Sequence, residues 1–529
     1  MARVPAENWE VSMRDFGLSR RRFLQAAAFA GAAGIAGVYP GVSYSMMSDI
    51  LTVRFDREME SLDPGYYVGG HPPNDVNWCV MPSLVHYGME GGRSVWIPSP
   101  FVESIKVTDS THIDFTLKKG LKWSGGFGEV TSEDVAYTFD RMAKSEWKGD
   151  YVAYDRVDIK DQYSGTIVLN QPFSPFMTAT LASGTGIIVC KKAVEAVGGK
   201  YTVDIPATCG PYVFEHKQAQ YVKMRPNPDW NGPKPTFTNI DCIFVTEDEA
   251  GSLAFEAGEL DCTKITSNSY ARYQKKLPPN SKLTVAGALQ YMWMGINTEH
   301  PKLQDIRVRQ AIQYAVDQAS IIQGAYSGTA EPSFGVVCPG LVGKRNKASY
   351  SYDPAKARAL LQEAGVSGLK LKLRTLNAQE RILAAQIIQA NLGAVGITVE
   401  VLPLDSGPFW EMGQESKGDT WKDLELWIMR YGAGTDPYEP FQWFVRDQVG
   451  VWNWERWSSD EFEALFKKGV AETDPEKRNV IYLRMQEIME DTGGYVWLTH
   501  EPEVFIHRAD IDAHFAPSGE MQLAYFKQR

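Results

Sequence analysis

Residues 102 to 145, VESIKVTDSTHIDFTLKKGLKWSGGFGEVTSEDVAYTFDRMAKS, constrain the backbone more than any other stretch of this chain. Ile113, Phe115 and Leu117 alternate with Asp114, Thr116 and Lys118, and a period of two puts the apolar set on one face of a half-buried strand. Gly125, Gly126 and Gly128 come next and supply the permissive backbone that a sharp reversal needs. Thr131 and Asp134 then stand at capping-box spacing ahead of Val135, Tyr137 and Phe139, which predicts a helix start. The order is strand, turn, helix. It holds no pattern of catalytic residues.

The rest of the chain continues this alternation. Residues 239 to 265 read as strand (IDCIFV), helix, Gly258 as a stop, and strand (LDCTKI), a crossover unit of parallel-sheet type. Asp305 caps a helix with Val308, Ile312, Ala315, Val316 and Ala319 on one face. Asp353-Pro354 opens another, with Ala357, Leu360, Leu361 and Ala364 at helical spacing and Gly365 ending it. LKLKLRTL and ITVEVLPL read as strands on either side of a helix over 381 to 392. The fold class is therefore α/β with mixed sheets flanked by helices. At 529 residues the chain exceeds what one core organises, so two or more domains are expected. No repeat and no Pro/Ser-rich linker divides it, so the domains interleave.

The first residues carry an address. Ser19-Arg20-Arg21-Arg22-Phe23-Leu24-Gln25 precedes an apolar run of small residues, 26 to 38, and this looks like a twin-arginine export signal at 1–45. The run is too short and too rich in Ala and Gly for a membrane span, and cleavage is expected near Ser45. The first cysteine is Cys79, so no cysteine is available there for acylation, and the expected location is the periplasm, free of an anchor. The net charge of −11 argues against nucleic acid as a partner, which would require a basic face. The six cysteines (79, 190, 209, 242, 262, 338) show no metal spacing. In an oxidising compartment they could pair; Cys242 and Cys262, each near the start of a strand, are the candidate pair, with buried free thiols as the alternative.

Enzyme motifs are absent: the sequence has no GxSxG, HExxH, Walker loop or GxGxxG. Ser145-Glu146-Trp147-Lys148 is formally S-x-x-K but lacks its companion motifs. His500, His507 and His514 recur every seven residues among strand-like neighbours and share no helical face. No metal or cofactor is expected. The positive signal is aromatic, since seven of the fifteen Trp fall at 410, 421, 427, 443, 452, 454 and 457. Rigid aromatic faces with a few placed polar groups suit a ligand pocket; the plain alternative for each Trp is core packing. Asp405, Arg430, Asp436, Asn453 and Arg456 lie among them.

The first stretch and several later ones together resemble the bacterial family 5 solute-binding proteins of ABC importers. The shared features there are Lys119-Gly120, Trp123, Gly125 and Glu133-Asp134-Val135. Cys209-Gly210-Pro211-Tyr212 sits where the family has a Gly-Thr-Gly-Pro-aromatic turn, with Cys209 a departure. Asn227-Pro228-Asp229-Trp230, Gly258-Glu259-Leu260-Asp261, Asn297, Asp305, Val308-Arg309-Gln310-Ala311, Ala315, Asp317, Gly328 and Ser459-Asp460-Glu461-Phe462 follow in family order. The likeness spans about residues 50 to 510.

The resemblance implies a two-lobed periplasmic binding protein of type II, in its large three-domain subclass, with a hinge. One lobe would hold domain I (46–79, 201–289 and 501–529) and domain II (80–200); the other would hold domain III (290–500). It implies a monomer that captures a small-molecule ligand and delivers it to an inner-membrane ABC permease, after export by the twin-arginine translocase, without enzyme activity. The residues expected to bind are Glu58, Trp410, Trp427, Tyr431, Asp436, Trp443, Asn453 and Trp454, with Ser61 and Asp63 beside Glu58. In peptide-binding members a Trp-x-x-Asp stretch grips the α-ammonium of the peptide. Here Gly434 stands near that Asp, which shifts the expected ligand from a free peptide towards an oligosaccharide or an opine-like conjugate, with peptide-like molecules retained. The alternatives are a cofactor-bearing periplasmic enzyme exported folded, a haem or metal-chelate binder, or a chaperone or receptor of the same fold.

Overall fold

The computed structural model describes residues 49–529 apart from 60, 67–70, 91–92, 219–220, 288 and 517. The expected export signal lies outside the described residues.

The opening stretch folds as read. Strand His112–Leu117 buries Ile113, Phe115 and Leu117 and leaves the alternate positions half-exposed. Gly125, Gly126 and Gly128 take φ of +71°, +78° and +93°, a region that side chains with a Cβ avoid. Helix Ser132–Met142 follows. Its Asp134 is a buried junction. One oxygen accepts hydrogen bonds from Thr131 N (2.9 Å), Thr131 Oγ1 (3.1 Å) and Trp123 Nε1 (3.2 Å), and the other accepts from Lys191 N (2.8 Å) at the start of the next helix. The acidic residue of the motif therefore ties turn, helix and following segment together.

Three sheets organise the chain. A four-stranded antiparallel sheet runs Val102–Val107, His112–Leu117, Ser164–Leu169, Tyr154–Ile159. A seven-stranded mixed sheet runs Ser281–Ala286, Glu503–Arg508, Cys262–Lys264, Ile50–Phe55, Asn239–Phe244, Tyr221–Pro226, Tyr212–Gln218. A six-stranded mixed sheet runs Glu331–Pro332, Tyr495–His500, Gln290–Ile296, Leu426–Gly432, Lys370–Leu376, Thr398–Leu404.

In the seven-stranded sheet, Ile50–Phe55 pairs in parallel with both strands of the expected crossover unit, and Val53 stands between Cys242 and Cys262. The expected pairing of those two cysteines is therefore wrong. Two strand spacings put their Cα atoms roughly 9–10 Å apart, beyond the ~7 Å that a disulfide spans, and all six cysteines are buried free thiols. The sequence reading missed that a distant strand inserts between them.

The six-stranded sheet is covered on both faces, as the long apolar runs of its central strands require. Met292, Met294, Leu426 and Ile428 point into one core with the helices of residues 306–394. Their neighbours Tyr291, Trp293, Trp427 and Met429 point into a second, aromatic core. Only two passages of the described chain join this sheet to the seven-stranded one: residues 287 and 289, after Ser281–Ala286, and residues 501–502, before Glu503–Arg508. They run side by side, with Glu503 N donating to Gly287 O at 3.3 Å, Ala286 opposite Glu503 and Tyr291 opposite His500. Paired crossings of this kind form a two-stranded hinge.

Candidate ligand-binding site

Strand Leu426–Gly432 ends beside these crossings, and its side chains become less buried towards that end. Trp427 and Met429 are buried, while Tyr431, next on the same face, is only half-buried. Three indoles surround it. Trp410, from helix Ser406–Glu411, stacks on its ring at 6.3 Å and 15°. Trp443 and Trp452 meet it edge-on, each at 6.3 Å. Trp452 also contacts Trp410 and Trp443, both at 6.4 Å, and Trp293 backs Tyr431 at 5.1 Å. All four rings of the outer group are half-buried. The Tyr431 hydroxyl is buried with no hydrogen-bond partner among the described residues.

The structure thus brings Trp410, Tyr431 and Trp443 together and adds Trp452, which the expected set omitted; its place in the Trp-rich segment was its only signal. Trp427, Asn453 and Trp454 lie behind this group in the core. Trp427 and Trp454 pack edge to face at 6.0 Å, and the Asn453 amide donates to Phe444 O (3.1 Å) and Trp457 O (2.9 Å), pinning the loop between them. Glu58 is exposed beyond the first strand. Ser61 and Asp63 are buried, and Asp63 pairs with Arg141 through both oxygens.

Asp436 is fully engaged. Arg478 holds it with two bonds, at 2.7 and 3.1 Å, and the Thr178 hydroxyl donates to it at 2.8 Å. Thr178 belongs to the chain segment of the four-stranded sheet, so this contact reaches across to the six-stranded sheet's side. Tyr87 OH and Thr435 Oγ1 extend the seam with bonds to Thr178 O at 2.8 and 2.9 Å.

A different carboxylate lies at Gly434. That glycine has φ +60°, and a Cβ placed on it would fall 2.0 Å from the Glu439 carboxyl carbon. Glu439 therefore occupies the space that a side chain at 434 would need. It accepts hydrogen bonds from Thr435 N (2.8 Å) and Asp436 N (3.1 Å), and no cation pairs with it among the described residues. Burial, reinforced by Asp436 and Asp150, pushes its carboxyl up to about 8. The sequence reading missed this residue because the carboxylate enters from the next helical turn, Tyr438–Phe441, and not from position 434 itself. Glu455, beneath the aromatic group, is also raised to about 8 by burial, with Trp293 Nε1 donating to it at 2.7 Å.

The histidines form no cluster. His500 is buried and pushed down to about 4 by desolvation, and His507 is also held low. Among the described residues no group of three His, Cys, Asp or Glu side chains is placed to hold a metal ion.

The model of the bacterial extracellular solute-binding proteins, family 5 (middle region), matches residues 101–451, well over half of the chain. The chain belongs to this family. Among family relatives, the Escherichia coli (strain K12) protein named "Probable D,D-dipeptide-binding periplasmic protein DdpA" is 25% identical over 483 residues, covering 88% of this chain and 91% of that protein. The glutathione-binding protein GsiB of Salmonella choleraesuis is 24% identical over 483 residues, covering 87% and 91%. The crystal structure of the ABC transporter substrate-binding protein CtaP from Listeria monocytogenes superposes with a TM-score of 0.79 at 21% identity, covering 91% of this chain and 99% of that one. The fold of this family member is therefore the two-lobed, mixed-sheet α/β architecture of these binding proteins, hinged at the paired crossings.

Proposed function

We propose that this chain is the periplasmic solute-binding component of an ABC importer and that its solute is a small peptide-like molecule. The observations that carry this reading are the half-buried group of Trp410, Tyr431, Trp443 and Trp452 and the carboxylate of Glu439, which fills the notch at Gly434. Aromatic faces suit the side chains and backbone of a short peptide, and the lone carboxylate suits an ammonium group. Dipeptide-type and glutathione-binding relatives support the same ligand class. In this reading residues 46–79, 201–289 and 501–529 (domain I) and 80–200 (domain II) form one lobe, and 290–500 (domain III) the other. Ligand contacts made by both lobes exist only when they close, so binding shifts the hinge towards closure. The protein acts as a monomer without catalysis, is exported by the twin-arginine translocase, and hands its solute to an inner-membrane permease.

Native mass spectrometry of protein purified without refolding identifies any retained solute, and calorimetry then compares di- and tripeptides with oligosaccharides. Peptides are expected to bind, and Tyr431→Ala, which removes the ring that all three indoles touch, to weaken them at least tenfold. Binding of oligosaccharides alone, or peptide binding indifferent to Tyr431→Ala, would sink this reading.

A further inference from the structure

At the end of strand Ile50–Phe55 lies a cavity of about 240 Å³, with Phe55, Asp56, Asp75, Lys264, Phe505 and Met521 in its wall. No part of that wall comes from the six-stranded sheet or its helices. Asp75, in helix His71–Val80, is the residue there that the protein leaves unsatisfied. It is 1% exposed, and neither carboxyl oxygen has a hydrogen-bond partner among the described residues. The Met521 backbone N–H is close enough to favour its charged form without completing a bond. The side-chain oxygen of the preceding Asn74 is also buried and without a partner. Three buried acceptors on two neighbouring residues thus lack donors, where such groups are ordinarily paired.

The charges around Asp75 deepen this deficit. Burial, reinforced by Glu520, Glu503 and Asp56, pushes its carboxyl well above the usual carboxylate range. Glu520 accepts from the Asn74 amide at 2.6 Å and the Ser518 hydroxyl at 2.8 Å, and no cation pairs with it among the described residues. The cations in the wall are engaged elsewhere. Lys264 bonds Glu503 at 2.8 Å, Arg54 is held by Asp248 at 2.7 Å and by Val245 O at 2.6 Å, and the exposed Arg57 approaches Asp56 at 3.9 Å.

We propose that this cavity is a binding site for a small primary amine, whose ammonium group pairs with Asp75 beside Glu520. An ammonium carries three N–H donors and one positive charge, which matches three acceptors without donors and a carboxylate without a counter-charge. Leaving such a carboxylate buried and unpaired is costly, and the pairing offsets that cost. The buried side chains of Phe55 and Phe505 give the wall an apolar part that suits a short alkyl chain. At ~30 Å³ for each water, the space holds about eight waters, or one amine of this size. The site lies on one side of the paired crossings, so its occupation stabilises the protein without drawing the two large sheets together. It is thereby independent of the solute-binding reading.

The test uses the mature protein, its Asp75→Asn, Glu520→Gln and Arg57→Gln variants, and ethylammonium and sodium chlorides at equal ionic strength. Ethylammonium is expected to raise the melting temperature of the wild type above its value in sodium, with an unchanged radius of gyration in small-angle scattering. By calorimetry it should bind Asp75→Asn at least tenfold more weakly than the wild type, and Glu520→Gln more weakly as well. Unliganded Asp75→Asn should melt no lower than the wild type, because the amide keeps the shape of the side chain and removes the lone acid. Equal responses of the wild type to the two salts overturn the proposal without recourse to any variant. Equal ethylammonium affinity of the wild type and Asp75→Asn places the amine elsewhere, as at Glu439, and overturns it too. If Asp75→Asn and Arg57→Gln both melt lower than the wild type and neither responds to ethylammonium differently from it, Arg57 is the counter-charge of Asp75 and the amine site falls.

Discussion

Glu439 illustrates how a single side chain alters the expected ligand chemistry. A glycine at 434 reads in the sequence as a lost carboxylate, yet the structure fills that space with the carboxylate of residue 439. Because burial raises its pKa to about 8, the free protein holds Glu439 largely protonated at neutral pH, whereas an ammonium ligand requires the ionised form. Binding must then release a proton, and affinity for an ammonium-bearing peptide should rise from pH 6 towards pH 8, by up to about tenfold per unit. Above that the gain ends, since the ligand's own α-amino group loses its proton at about 7.7–8.0. Calorimetry at pH 6, 7 and 8 in buffers of different ionisation enthalpy reads both the slope and the released proton. A flat profile with no proton release would show that Glu439 does not face the ammonium. Asp436, by contrast, is committed to Arg478 and contributes to the seam between chain segments.

At the level of elements, local signals were legible and long-range ones were not. The strand, glycine turn and capped helix of 102 to 145 are written in neighbouring residues, and so are the caps Asp305, Asp353 and Ser459, each of which accepts a backbone N–H of its helix. The insertion of Ile50–Phe55 between two strands about 190 and 210 residues further on has no local signature. That insertion carries a chemical consequence: Cys242 and Cys262 remain unbridged even in an oxidising compartment. Peptide mapping of protein digested without reduction should recover both as separate thiol peptides, and a Cys242–Cys262 linked peptide would mean that the strand order is wrong. The tryptophans were legible only as a group. Composition marks the region, but whether an indole joins the core, as Trp427 and Trp454 do, or the half-buried group, as Trp410, Trp443 and Trp452 do, depends on which face of which element it occupies.

For the whole molecule, the paired crossings imply that ligand should both compact and stabilise it. At about 100 times the dissociation constant, a single site adds roughly 2.7 kcal/mol, visible as a raised melting temperature, and small-angle scattering of the same sample should show a smaller radius of gyration. Stabilisation without compaction would mean binding to one lobe without closure. The division into two lobes was legible from the resemblance, whereas the side-by-side geometry of Gly287 and Glu503 at the crossings was not, because the pairing of Ala286 with Glu503 joins positions more than 200 residues apart. The same geometry dictates an order of assembly. Strand Glu503–Arg508 lies inside the seven-stranded sheet, with Ser281–Ala286 on one side and Cys262–Lys264 on the other. Until a ribosome has delivered those late residues, Ser281–Ala286 has no neighbour in the sheet on which to pair, and the sheet that holds the first described strand stays unfinished. The sheet that holds the first described strand is therefore completed only by one of the last, so an amino-terminal fragment of the chain cannot close it.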